Sequence, residues 1–105
     1  PTVTVDVPVH VPGDDKPATI KATWKLHKWD EYREMMKQQQ EGNAQDEDLL
    51  TDLVKLDGIK DEDGNLLEHS KDLVSDLMQI TYVRRPLILS WFAAQEGRTQ
   101  ASAKN

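Results

Sequence analysis

Ser70-Lys-Asp-Leu-Val-Ser-Asp-Leu-Met-Gln-Ile80 and then Arg84-Arg-Pro-Leu-Ile-Leu-Ser-Trp-Phe-Ala-Ala-Gln-Glu-Gly97 hold the densest apolar residues of the chain. Leu73, Val74, Leu77 and Met78 recur at the i, i+1, i+4, i+5 spacing of a buried helical stripe. Leu87, Ile88, Trp91, Phe92 and Ala94 continue the pattern on a second helix. Each helix is too short to persist alone in water, so the two must be covered by one another, by upstream segments, or by a partner chain.

The cover is legible at the other end. Val3, Val5, Val7, Val9 and Val11 alternate with Thr2, Thr4, Asp6, Pro8 and His10, the period of a strand with one buried face. Pro8 donates no backbone hydrogen bond, so this strand is expected at a sheet edge. Pro12-Gly13-Asp14-Asp15 supplies a turn, and Ala18, Ile20, Ala22, Trp24 and Leu26 alternate again. The two form an antiparallel hairpin, and because a lone hairpin is marginal its Val and Ile-Trp face should lie on the helices.

Between these ends, Trp29, Tyr32, Met35 and Met36 share one helix face, with fraying or projection expected at Gln38 to Gln40 and termination at Gly42-Asn43. Asp46-Glu47-Asp48 suits a helix amino terminus, and Leu49, Leu50, Leu53 and Val54 read as a second helix that Gly58 stops. Lys60 to Asn65 reads as a polar turn between extended pieces at Ile59 and Leu66-Leu67, and Ser70 as the cap of the third helix. Pro86 is placed in the first turn of the fourth, with Val83 to Arg85 leading in and Gly97 ending it. The resulting expectation is a single α+β domain over 1–105, a hairpin (1–28) packed on a small bundle of about four helices (29–97), with a flexible tail (98–105).

Composition narrows the function classes. The chain is 30% charged with no apolar run near the ~18 residues that would span a bilayer, so no membrane segment is expected. It has no cysteine and no apolar signal core at its start, which fits a reducing cytoplasm. Its net charge of -6 is concentrated in residues 30–72, where fourteen Asp and Glu face five Lys and Arg. That distribution repels nucleic acid and reads first as a solvated face, second as a docking surface for a basic partner.

Candidate chemistry is sparse. Setting Gly64 at position six of a calcium loop puts Ile59 and Ser70 where acids are required, so the loop is an acidic turn. His10, His27 and His69 match no ligand spacing, and no metal or cofactor is expected. No serine-nucleophile elbow, phosphate-cradling glycine loop or metalloprotease helix occurs, so the chain is not expected to be an enzyme. Arg84 and Arg85 oppose a helix dipole at this position, which points to a salt bridge with the acidic middle segment ahead of a partner contact. Trp91 and Phe92 point about 100° apart on their helix, so one of them can face outward. Trp24 belongs to the core.

The stretch Leu56-Asp-Gly-Ile-x-Asp-Glu-Asp-Gly-Asn65, the Ser70-capped Leu-Val-x-x-Leu-Met helix, the run from Val83 through Ile88, Trp91 and Phe92 to Gly97, and the closing Lys104-Asn105 resemble tail assembly chaperones of long-tailed, lambda-like phages. The resemblance covers the chain as a layout and is specific over the last fifty residues; the Gln38 to Gln40 run and Asp46 to Asp48 depart from it. It implies a non-enzymatic protein of the infected host's cytoplasm that coats the helical tape-measure protein while tail-tube subunits assemble around it. It also implies a longer form of the same chain made by translational frameshifting, and self-association is compatible with it. Tyr82, Ile88, Trp91, Phe92 and Met35, with Arg84 and Arg85, are the candidate partner-binding residues, each of the five apolar ones reading equally well as core. Two other classes stay open: a structural virion component such as a head-tail connector or tail-terminator subunit, and an acidic host-directed inhibitor.

Overall fold

A computed structural model describes residues 1–98. The expected tail falls almost wholly outside the described residues.

The two alternating segments form β1 (Thr2–Val9) and β2 (Ala18–Lys25), paired antiparallel in register from Thr2↔Lys25 to Val9↔Ala18. Their turn closes with the Asp14 amide donating to the Val11 carbonyl at 3.0 Å. Gly13 takes φ +93°, and with Pro12 before it this is a type II turn, which needs a residue tolerant of positive φ there. β1 is an edge strand, as Pro8 requires.

α1 (Trp29–Gln40) follows and remains helical through the glutamines, with Gln38 donating to Glu34 at 2.6 Å. The second helix then departs from expectation. α2 is only Asp46–Leu49; a 3₁₀ turn at Leu50–Asp52 leads into a third strand, β3 (Leu53–Asp57), paired antiparallel with β2. The sheet order is β1-β2-β3. The misreading has an identifiable cause. Register shifts between Thr23 and Trp24, where Trp24 opposes Leu53 and Thr23 opposes Lys55, so Val54 is an extra, bulged residue. The bulge lets Leu53 and Leu56, three apart, both turn inward, which mimics helical spacing in the sequence.

Beyond β3, Lys60 and Leu66 form an isolated bridge around the acidic turn, as expected. Asp61 braces that turn, its Oδ1 accepting from the amides of Asp63 and Asn65 at 2.9 Å each. α3 (Lys71–Met78) is capped by Ser70 Oγ, which accepts from the Leu73 amide at 3.0 Å. α4 (Thr81–Gln95) starts five residues before the position assigned from Pro86. Pro86 therefore sits inside the helix, where its ring removes the bond that would otherwise reach the Tyr82 carbonyl. A two-residue turn joins α3 to α4, with the Val83 and Arg84 amides donating to the Ile80 carbonyl and fixing this earlier start.

α4 crosses the inner face of β1 and β2. The core joins Val5, Val7, Val9, Ile20, Ala22 and Trp24 of the hairpin to Leu53 and Leu56 of β3 and Val83, Leu87, Ile88, Trp91 and Ala94 of α4. This is the α+β arrangement expected, with one more strand.

Candidate functional site

Two buried indoles must each find an acceptor, because an unpaired buried N–H costs about 1–3 kcal/mol. Trp24 Nε1 donates to Ser90 Oγ at 2.9 Å, and Ser90 passes its own proton to the Leu87 carbonyl at 2.6 Å. Trp91 Nε1 donates to Asp52 Oδ2 at 2.9 Å. The same oxygen accepts from His27 Nε2 at 2.7 Å, while His27 Nδ1 faces Glu31 Oε1 at 3.1 Å. Gln95 ties the end of α4 to the chain after β2, accepting from the His27 amide and donating to the Lys25 carbonyl. Above this network Trp29, Tyr32, Trp91 and Phe92 form a chain of ring contacts with centroids 5.0 to 5.9 Å apart.

A histidine beside a buried aspartate is also the arrangement of a general base. Here both ring nitrogens are taken up by carboxylates and the aspartate is shared with an indole, so the pair presents no free nitrogen to a substrate. Its work is to join the loop after β2, α1, the 3₁₀ turn and α4. The His27 hydrogen bond, followed by the Lys28 amide, holds the Glu31 carboxyl below its ordinary range. Burial and then the hydrogen bond to Glu96 push the Tyr32 phenol up to about 12, and that bond lowers Glu96 in turn. Among the described residues no group of three or more His, Asp or Glu is placed to hold a metal ion.

The sequence-derived partner residues separate in space. Trp91 is fully buried and Ile88 nearly so, which makes both core residues. Phe92 and Met35 are half-buried, with Met35 beside a small cleft between α1 and α2. Arg84 pairs with Glu47 at 2.7 Å, the salt bridge to the acidic segment that was favoured, and it lowers the Glu47 carboxyl. Tyr82 and Arg85 are exposed on α4.

A further recess lies elsewhere. A groove of about 570 Å³ runs between α3 and the segment from α2 to β3. Leu50, Leu53, Val74 and Met78 are buried or half-buried and make its floor; Glu47, Thr51, Lys71, Ser75 and Gln79 are exposed and make its rim. His69 closes one end, its Nδ1 accepting from the Leu56 amide at 3.1 Å on the free edge of β3. Reading Leu73 to Met78 as one wholly buried stripe concealed this groove: only Met78 is fully buried, while Leu73, Val74 and Leu77 keep some exposure. Asp52 was missed too: an acid inside Leu49-Leu50-Thr51-Asp52-Leu53-Val54 reads as solvent-facing because a buried carboxylate is costly unless hydrogen-bonded, and the donors that pair it, His27 and Trp91, are remote in sequence.

No protein-family model, curated protein or solved structure matches the chain.

Proposed function

We propose that this chain is a non-enzymatic tail assembly chaperone of a long-tailed phage, working in the host cytoplasm, which seats an apolar helix face of the tape-measure protein in the groove between α3 and the α2-to-β3 segment. The observation that carries the reading is that groove: an apolar floor of Leu50, Leu53, Val74 and Met78 within a polar rim. An amphipathic helix enters such a groove through apolar anchors at i, i+3 or i+4, and i+7. Glu47 and Lys71 on the rim balance one another, and the chain's net charge of -6 would keep the complex in solution. The fold and charge are compatible with the phage resemblance, which supplies the identity of the partner.

The test is co-expression with the tape-measure protein of the same phage, followed by size exclusion. Wild type should hold the tape-measure protein in the soluble fraction and elute with it. Ser75→Arg, an exposed change on the rim to a better helix former, should cut capture at least tenfold without unfolding α3. Asp15→Asn, the same change in net charge on the distant hairpin turn, should not. Failure of wild type to retain the tape-measure protein overturns the chaperone reading; equal capture by Ser75→Arg overturns the groove as its seat.

A further inference from the structure

A backbone amide can only donate, so a ring nitrogen that accepts from it carries no proton. His69 Nδ1 accepts from the Leu56 amide at 3.1 Å, which requires the half-buried imidazole to be neutral with its proton on Nε2. His27 is the opposite case. Both of its ring nitrogens face carboxylate oxygens, which accept, so an added proton leaves those contacts in place.

The His69 contact also holds a particular place in the fold. Before it, the Leu67 amide donates to the Ile59 carbonyl at 2.8 Å; after it, α3 passes into α4 through the turn at Gln79-Ile80. Between those points, among the described residues, the His69 bond is the one that ties the chain to the rest of the molecule, since the other hydrogen bonds of residues 68–75 stay within α3 and its cap. α3 buries only Met78 fully, at its far end, and its first turns rest on the half-buried Leu73 and Val74.

We propose that His69 is a proton-operated latch on α3: neutral, it fastens the start of the helix to the free edge of β3 and closes that end of the groove; protonated, it lets go. Imidazole is the side chain that ordinarily changes charge between about pH 5 and 8. A proton on Nδ1 turns the acceptor into a donor that faces another donor, so the bond is present at the upper end of that interval and lost as pH falls through it. The charged ring has somewhere to go. Lys55 and Asp57 of β3, Glu68 beside it, Lys71 of α3 and Glu47 of α2 line the groove and a smaller recess over β3 that meet at His69, and all five are exposed. Three carboxylates against two ammonium groups favour an imidazolium turned out toward them. Carboxylates and ammonium groups ordinarily keep their charge over this interval, so the imidazole is the member of the set that switches.

Amide hydrogen exchange of the free full chain, followed by NMR at about pH 7.5 and about pH 5.5 and corrected for the intrinsic pH dependence of exchange, tests it. In wild type, protection of the Leu56 amide and of the α3 amides from Val74 to Met78 should fall about tenfold at the lower pH, while the Trp91 amide in α4 keeps its protection. His69→Asn sets an amide oxygen where Nδ1 lies and does not titrate, so it should keep the protection at both values. His69→Ala should show the low-pH pattern at both. Wild-type protection that does not change with pH overturns the proposal, as does a fall in His69→Asn equal to that of wild type. Loss at Leu56 with α3 protection retained overturns the latch as well, because the contact would then titrate without holding the helix. None of these readouts involves the tape-measure protein, so the latch and the chaperone reading fail separately.

Discussion

Replacing Asp52 by alanine is the most direct challenge to the buried network. The carboxylate is 5% exposed and accepts from Trp91 Nε1 and from His27 Nε2 through one oxygen. Its removal leaves an indole N–H buried in a site with no other acceptor, at about 1–3 kcal/mol, and removes a charge-assisted bond to His27 worth about 1.5–3 kcal/mol. The two losses overlap, since His27 can turn to Glu31 and solvent, so we expect about 3 kcal/mol in total. For a domain of this size that is a large part of a stability of about 5–15 kcal/mol, and each kilocalorie lowers Tm by roughly 4–8 °C. Urea unfolding followed by circular dichroism should therefore show a midpoint well below wild type with an unchanged slope. Trp91→Phe supplies the control: with the indole gone, Asp52→Ala should cost at least about 1 kcal/mol less than in wild type. A loss below about 1 kcal/mol, or strict additivity of the two changes, would refute the claim that Asp52 is held in the core by these donors.

Two further outcomes follow from backbone geometry and from ionisation. Gly58 sits at φ +86°, and a Cβ there would lie 3.3 Å from the Thr19 carbonyl oxygen; Gly58→Ala should cost about 1–2 kcal/mol in urea unfolding, more than Gly42→Ala, which has the same handedness but open space. Glu31, Glu47 and Glu96 are all held below the ordinary glutamate value of 4.5, so their contribution to stability is full above that pH and is lost as pH falls through their folded values; Glu47→Gln should flatten the acid limb of the urea midpoint against pH. Tyr32 has the opposite sign: raised from 10.0 to about 12, it stabilises below 10 and loses that contribution as pH rises through 12, so Tyr32→Phe should lose less stability than wild type in alkali.

What the sequence discloses depends on how local the governing interaction is. The hairpin is plain because alternation at Val3 to Val11 and Ala18 to Leu26 has a single structural meaning and Pro12-Gly13 has a single turn type. The Ser70 cap is equally local, a hydroxyl three residues from the amide it accepts. β3 was hidden because a bulge at Val54 converts the period of a strand into the spacing of a helix, and only its pairing with β2 distinguishes the two. The start of α4 was misplaced because proline is most at home in a first turn, whereas here packing of Val83 and Leu87 against the sheet holds the helix through it. The network was out of reach altogether: His27, Asp52 and Trp91 are 25 and 39 residues apart, and nothing in their local spacing links them.

The same network sets which surfaces stay open. α4 is fastened at Ser90, Trp91 and Gln95 by side-chain hydrogen bonds that reach β2, the loop after it and Asp52, so its buried face cannot turn outward without breaking several of them. The apolar surface that α3 and α4 themselves leave to another molecule is thus what α4 keeps on its far side and what α3 leaves over Leu50 and Leu53. α3 is held differently: it buries only Met78 fully, and the side-chain bond that meets its end comes from Arg84 to the Met78 carbonyl. A groove with one wall fixed by the core and the other by a few apolar contacts can widen at low cost to fit helices of different girth. A rigid α4 does not follow that movement, so release at His69 opens the groove from the α3 side alone. Asp52→Ala, which loosens α4, and His69→Ala, which frees the start of α3, should for that reason act independently and add in urea unfolding of the double variant.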